Sequence, residues 1–230
     1  MLQFDRVMLV VDGFRLQADW SVPAGARVAV IGPSGAGKST LLSAVAGFLA
    51  PHSGRVLWQG TDLGPLDPGA RPVTILFQDQ NLFPHLTLTQ NLGLGLRPDL
   101  RLSVDQTAQV AQVLDRVGLS GMGTRKPAQL SGGQIGRASL ARALLRARPV
   151  LLLDEPFAAL GPALKAEMLA LVAEVAAETG ALVMMVTHDP KDALAFAELT
   201  VLVADGVAQA PRDTAALFAD PPEALRDYLG

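Results

Sequence analysis

Short apolar runs alternate with longer amphipathic stretches along most of the chain. Strands are predicted where the runs are short and compact, at residues 28–31, 73–77, 150–154, 182–187 and 200–204. Helices are predicted where apolar residues recur at steps of three and four, at residues 38–47, 104–117, 134–146, 163–178 and 191–196. Strands that alternate with helices are typical of an α/β fold with a largely parallel sheet.

The pattern also divides this predicted domain internally. Residues 2–11, 17–22 and 55–59 predict a small antiparallel set of strands, and the proline and glycine residues of segment 60–72 indicate a surface loop. Helical patterns dominate between about residues 80 and 149. We therefore expect a single domain over residues 1–230, in which a helical subdomain at about 80–149 is inserted into an α/β core formed by residues 1–79 and 150–230.

Composition excludes several classes of protein. The chain is 50% hydrophobic and 18% charged, which is too apolar for intrinsic disorder. The absence of cysteine excludes disulfides and thiolate metal sites. A net charge of −3 gives no general attraction for nucleic acid, so no nucleic-acid partner is expected. No apolar run approaches the roughly 20 residues that cross a bilayer, and the N-terminus lacks a signal-peptide pattern.

A glycine-rich segment follows the first predicted core strand. Residues 32–40 read Gly-Pro-Ser-Gly-Ala-Gly-Lys-Ser-Thr, between a strand and a helix. Such a loop aims backbone N–H groups at phosphate oxygens, while the lysine reaches the β- and γ-phosphates and the serine binds Mg²⁺. The alternative is a glycine-rich turn that binds nothing, but the full pattern in this context favours a nucleotide. The predicted contacts are Gly32, Pro33, Ser34, Gly35, Ala36, Gly37, Lys38, Ser39 and Thr40.

Two carboxylates end the apolar strand at residues 150–154. Ligands of open α/β sheets bind at the carboxyl ends of the strands, where Asp154 and Glu155 lie. Phosphoryl transfer needs a bound cation and a positioned nucleophile. We predict that Asp154 holds Mg²⁺ and that Glu155 orients or deprotonates the attacking water, the alternative being that both acids only cap the next element.

A further motif, Leu-Ser-Gly-Gly-Gln at residues 130–134, precedes the third predicted helix. Together with the phosphate loop, Gln78, Asp154, Glu155 and His188, it makes the chain resemble the nucleotide-binding subunit of ATP-binding cassette (ABC) transporters. This resemblance implies a P-loop NTPase cassette with a RecA-like parallel-sheet core, ATP and Mg²⁺ as ligands, and ATPase activity.

The resemblance also implies roles for individual residues. Two subunits would pair head to tail, so that Ser131, Gly132, Gly133 and Gln134 of one subunit contact the ATP held by the other. Glu155, His188, Lys38 and Gln78 would form the catalytic set, with His188 sensing the γ-phosphate. Magnesium would be bound by Ser39, Gln78 and Asp154.

Segments 47–51, 71–73, 76–85 and 91–96 look most like the ATPases of bacterial thiamine importers. That likeness implies a homodimer bound peripherally to transmembrane permease subunits at the cytoplasmic face of the membrane, and served indirectly by a periplasmic or extracellular solute-binding protein. Importers of other small solutes, such as iron or polyamines, are alternatives. So are a soluble ABC ATPase outside transport and a nucleotide switch with low turnover.

The chain departs from the family pattern in three places, one of which is a pair of residues. Val11 replaces an aromatic residue that stacks on adenine, although Phe14 is a candidate substitute, and weaker adenine discrimination is expected. Gly161 replaces an aspartate that couples the two sites of the dimer, so we expect slower hydrolysis or weaker coupling. Ile135 and Gly136 replace a polar or basic pair, which either softens the trans contact or accommodates close packing.

Overall fold

The computed structural model describes residues 1–77, 82–158 and 160–229. The strands are β1 (Leu2–Val11), β2 (Phe14–Val22), β3 (Arg27–Ile31), β4 (Ser53–Trp58), β5 (Thr61–Asp62), β6 (Val73–Leu76), β7 (Val150–Asp154), β8 (Leu182–Val186), β9 (Leu199–Ala204), β10 (Val207–Ala208) and β11 (Arg212–Asp213). The helices are α1 (Lys38–Ala46), α2 (Leu88–Gly93), α3 (Val104–Arg116), α4 (Gly132–Leu145), α5 (Pro162–Thr179), α6 (Pro190–Phe196), α7 (Thr214–Ala219) and α8 (Glu223–Leu229), and a 3₁₀ turn covers Pro127–Gln129.

The strands form one mixed sheet in the order β5-β4-β1-β2-β10-β9-β3-β8-β7-β6, with β11 paired to β9. Strands β9, β3, β8, β7 and β6 are parallel, whereas β1, β2, β4 and β5 pair antiparallel. The predicted fold class is confirmed, because a parallel core carries a smaller antiparallel set. Between β6 and β7 the described chain forms α2, α3, the 3₁₀ turn and α4.

Buried apolar residues fall into three clusters. One packs α1 between the parallel core and the antiparallel strands. The second joins the other face of β6, β7 and β8 to α2, α3, α4 and α5. The third is small and packs α6, α7 and α8 against β3 and β9. Strand β8 is buried along its whole length, as expected for a central parallel strand covered on both faces.

The first hairpin differs from the prediction, because β2 begins at Phe14 rather than at residue 17. Val11 pairs directly with Phe14 across a two-residue turn, in which Asp12 and Gly13 both have positive φ, 47° and 86°. An Asp-Gly pair is a strong signal for this kind of tight hairpin turn. The Asp-Gly pair was therefore a sequence signal for this turn that the prediction did not use.

The predicted loop at residues 60–72 is more ordered than expected, because it contains β5 and contributes the buried Arg71. The Arg71 guanidinium donates through Nη1 to the carbonyls of Ala44 (2.8 Å) and Val45 (2.9 Å), and through Nε to Leu66 O (3.1 Å). Ala44 and Val45 lie in the last turn of α1, whose carbonyls lack partners within the helix. Arg71 therefore completes the C-terminal end of the helix that follows the phosphate loop.

We expect Arg71→Met to lower the free energy of unfolding by about 2–4 kcal/mol, since it leaves buried carbonyls without donors. Urea denaturation followed by circular dichroism measures this change. Arg97→Met is the matched control, because Arg97 pairs with Asp99 at an exposed position and should leave the midpoint unchanged. Equal midpoints for both variants would contradict the capping role of Arg71.

Candidate functional site

The phosphate loop connects β3 to α1 and contains three glycines in backbone conformations that L-residues rarely adopt. Gly32, Gly35 and Gly37 have φ values of 146°, 76° and 100°. Gly37 precedes α1 and brings no side chain to its N-terminus. The free N–H groups of the first turn are therefore left for an anion, which is the usual arrangement of a phosphate site.

Lys38 is folded back over this loop. Its ammonium donates to the carbonyls of Gly32 (2.9 Å) and Pro33 (2.8 Å), and the residue is 8% exposed. Burial lowers the pKa of Lys38, while the nearby Glu155 and Asp154 carboxylates oppose that change. An ammonium carries three protons, so one remains for a ligand oxygen after the two carbonyl bonds.

Strand β7 brings its terminal acids to the same place. Ser39 Oγ donates to Asp154 Oδ1 at 3.1 Å, which joins the first turn of α1 to the end of β7. Burial raises the pKa of Asp154 above its ordinary value, although the Ser39 hydrogen bond opposes this. No cluster of three or more His, Cys, Asp or Glu side chains that could hold a metal occurs in the part of the chain that the structure describes.

Glu155 follows Asp154 with a φ of 46°, in the left-handed region. Its N–H donates to Val186 O (3.1 Å) at the end of β8, and its Oε2 lies 3.3 Å from Nδ1 of His188. The His188 side chain is 60% exposed. The Glu155 carboxylate and the His188 imidazole thus face each other at the ends of adjacent parallel strands.

These groups surround one cavity of about 560 Å³. Its lining consists of Gly32, Ser34, Lys38, Glu155, His188, Pro190 and Tyr228. The cavity therefore brings together three residues of the phosphate loop, Glu155 and His188. Ser39 and Asp154 contact each other but are not part of its lining. Tyr228, from the C-terminal helix α8, was missed by the sequence reasoning, because it belongs to no motif and no spacing marks it.

An ion network holds the segment after His188. Lys165 Nζ lies 3.0 Å from Asp189 Oδ2 and 3.1 Å from Asp192 Oδ1, and the Thr187 hydroxyl donates to Asp192 Oδ2 (2.9 Å). The hydrogen bond from Lys165 lowers the pKa of Asp189, so this carboxylate stays charged at neutral pH. The first turns of α5 and α6 are thereby joined beside the cavity.

The Leu-Ser-Gly-Gly-Gln motif forms a helix start instead of a wall of this cavity. Ser131 Oγ accepts from the Gln134 N–H (3.3 Å), and Gln134 Oε1 accepts from the Ser131 N–H (2.9 Å). This reciprocal capping box explains why α4 begins at Gly132, two residues before the predicted start. Within the subunit, the motif lies outside the cavity lining.

The structure also shows the surroundings of the residues that depart from the family pattern. Val11 is 38% exposed, and the ring of Phe14 packs so close to Gly37 that a Cβ there would lie 2.8 Å from Phe14 Cε1. Gly161 precedes α5 with φ −66°, and nothing lies within 4 Å of the place where its Cβ would be. Gly136 is buried in α4. The prediction for Gln78 falls on a residue outside the described ranges.

A phosphate loop between β3 and α1, with carboxylates at the end of β7, which is separated from β3 by β8, defines a P-loop nucleoside triphosphatase. A sequence model of the ABC transporter family matches residues 16–158, and the chain belongs to this family.

Curated relatives cover the whole chain. This chain is 70% identical over 230 residues to the thiamine import ATP-binding protein ThiQ of Cereibacter sphaeroides, and the alignment covers 100% of both sequences. It is 54% identical over 230 residues to the protein of the same name from a Ruegeria species, again with full coverage of both. With the Yersinia pseudotuberculosis ThiQ the identity is 49%, over 90% of this chain and 87% of the relative.

Solved structures share the fold. A dimeric post-hydrolysis state of the ATP-binding cassette MJ0796, bound to ADP and Pi, superposes with a TM-score of 0.82 at 27% identity. The alignment covers 93% of this chain and 99% of that one. A second dimeric structure of MJ0796, described as a bacterial ABC transporter cassette, gives the same values.

Proposed function

We propose that this chain is the ATP-hydrolysing subunit of an importer for thiamine or its phosphates. The observation that carries the ATPase assignment is the cavity in which Lys38, Glu155 and His188 converge on the phosphate loop. The substrate class rests on the full-length similarity to thiamine import proteins, among them the Cereibacter sphaeroides protein, which is 70% identical. Nothing in the cavity itself selects the transported compound.

ATP would place its phosphates against the N-terminus of α1. The loop glycines supply backbone N–H groups, and the remaining proton of Lys38 is available to a β- or γ-phosphate oxygen. Because Lys38 is already held by two carbonyls, its charge is preorganised for the negative charge that grows during phosphoryl transfer.

Hydrolysis needs a water held in line with the γ-phosphate. Glu155 would accept its proton as the new oxygen–phosphorus bond forms and the bond to ADP breaks. His188 lines the same cavity, 3.3 Å from the Glu155 carboxylate, and would donate to a γ-phosphate oxygen. The two side chains would thus position nucleophile and phosphate together.

The oxygen atoms of Ser39 and Asp154 fit Mg²⁺, which prefers hydroxyl, carboxylate and phosphate oxygens. Bound there, the ion would neutralise phosphate charge. We propose Gln78 as a third ligand on the family pattern alone.

A homodimer would complete the site. Ser131, Gly132, Gly133 and Gln134 lie outside the cavity of their own subunit, which is consistent with a role towards the ATP of a partner. The relatives solved as dimers are cassettes of this family. We further propose that the pair binds permease subunits at the cytoplasmic face of the membrane, with a solute-binding protein delivering the substrate. Among residues 1–77, 82–158 and 160–229, no helix is long and apolar enough to span a membrane.

The helices between β6 and β7 support the proposed division of the domain. We propose that residues 1–79 and 150–230 form the catalytic core with its antiparallel strands, and that residues of about 80–149 form the inserted signature subdomain. Both parts belong to one cassette.

The deciding experiment reconstitutes the chain with its permease and binding protein in vesicles. Thiamine and thiamine pyrophosphate should each stimulate Mg²⁺-dependent ATP hydrolysis and accumulate in the vesicles, whereas spermidine should do neither. Uptake of spermidine alone would overturn the thiamine assignment and keep the ATPase. Absence of ATP hydrolysis with every substrate would overturn the ATPase assignment.

A nucleotide switch with low turnover is the second candidate, favoured by Gly161. The position has an ordinary φ and open space, so Gly161→Asp should fold with an unchanged melting temperature. We expect the added carboxylate to raise the ATP hydrolysis rate or its cooperativity, roughly two- to ten-fold if one hydrogen bond is gained across the dimer. Phosphate release against ATP concentration measures both. Unchanged kinetics would remove Gly161 as a cause of slow turnover.

A further inference from the structure

The C-terminal helix α8 places a phenol against the backbone of His188. The Tyr228 hydroxyl donates to the carbonyl oxygen of His188 at 2.8 Å. Tyr228 also lines the cavity that holds Lys38 and Glu155. It is the single tyrosine of the chain.

Packing fixes the position of this phenol. Leu225, one turn earlier in α8, is fully buried in the small cluster that contains Ile31 and Ala193. Ile31 precedes the phosphate loop, and Ala193 lies in α6, which follows His188. One apolar cluster therefore connects the helix that carries Tyr228 to both sides of the nucleotide cavity.

The His188 side chain needs such support. It is 60% exposed, and its contact with Glu155 is a single one at 3.3 Å. An exposed ring is not held by packing, so its direction depends on the backbone that carries it. The ion network of Lys165 holds Asp189 from one side, and the Tyr228 hydroxyl holds the carbonyl of His188 itself.

The phenol keeps its proton for this bond. Burial raises the pKa of Tyr228, and the charges of Glu155 and Asp189 act in the same direction. A second cavity, of about 630 Å³, shares Ser34 and Tyr228 with the first and is lined by Gly35 and Asp227 among others. The tyrosine ring thus forms part of the boundary between the two cavities.

We propose that Tyr228 is a positioning residue for ATP hydrolysis, which orients His188 through its backbone carbonyl. The proposal rests on the proposed ATPase function and adds the C-terminal helix to its machinery. Tyr228 contacts the backbone of His188 directly and would act on the γ-phosphate only through that residue.

The test is Tyr228→Phe, which keeps the ring and removes the hydroxyl. We expect kcat for ATP hydrolysis to fall roughly three- to ten-fold, as the loss of one hydrogen bond implies, with little change in the dissociation constant for ATP. The melting temperature should remain close to that of the parent. Phe218→Leu is the matched control, since Phe218 packs on the same cluster from α7 and should leave kcat unchanged.

A double variant separates positioning from a general structural effect. In a His188→Ala background, Tyr228→Phe should change the residual rate by less than about two-fold, because the group through which it acts has been removed. The proposal would be overturned if Tyr228→Phe lowered the rate of the His188→Ala variant by the same factor as that of the parent. It would also be overturned if Tyr228→Phe alone had the kcat of an active parent. A parent without ATPase activity would overturn the proposed function and this inference with it.

Discussion

Replacement of Glu155 by glutamine should abolish most ATP hydrolysis while ATP still binds. The amide is nearly the same size but cannot accept a proton from water, and general-base catalysis contributes about 10²–10⁴-fold to such reactions. We therefore expect kcat to fall at least about 100-fold. Lys38 and the phosphate loop are untouched, so ATP affinity should stay within a few-fold of the parent. Phosphate release and calorimetric titration with ATP measure the two quantities.

The matched control is Glu174→Gln, which makes the same chemical change on α5. Glu174 is 61% exposed and pairs with Arg116, away from the cavity lining. Its kcat should equal that of the parent. A Glu155→Gln variant that keeps more than about a tenth of the parent rate would rule out Glu155 as the general base.

Substitution of Gly32 by alanine should destabilise the fold and abolish ATP binding. An added Cβ would overlap the carbonyl oxygen of Val203 in β9, and the φ of 146° is strained for any L side chain. Either β9 or the phosphate loop must move. We expect the free energy of unfolding to fall by about 3 kcal/mol or more, measured by urea denaturation.

Gly60→Ala separates backbone strain from steric overlap. Gly60 also has a positive φ, 82°, but nothing lies within 4 Å of its Cβ position. Only the conformational cost remains there, about 1–2 kcal/mol. A Gly60→Ala effect as large as that of Gly32→Ala would show that overlap with Val203 is not the cause.

Motifs and hydrophobic periodicity predicted those parts of the molecule whose structure is determined by residues close together in the sequence. The core strands were predicted within about a residue at most ends, because buried parallel strands are continuous apolar runs. Lys38, Asp154 and Glu155 could be singled out as candidates because phosphate chemistry places such residues at fixed distances from the end of a strand. The capping box of Ser131 and Gln134 marks the start of α4 equally well, although the prediction placed that start two residues late.

Other parts depend on contacts between distant segments, which a single sequence does not display. The Arg71 guanidinium is buried against the carbonyls at the end of α1, to which it donates. The sequence around residue 71 gives no sign of these distant acceptors. Tyr228 reaches the cavity only because Leu225 anchors a short C-terminal helix. Two-residue strands such as β10 are too short to produce any periodicity.

The backbone of Glu155 implies a conflict between stability and activity. A side chain in the left-handed region costs about 1–3 kcal/mol, and glycine would relieve most of that cost. Selection for a stable fold alone would therefore favour a residue without a carboxylate at this position. If Glu155 is the general base proposed above, a search for stabilising substitutions without an activity screen should select replacements of this glutamate and so lose ATP hydrolysis.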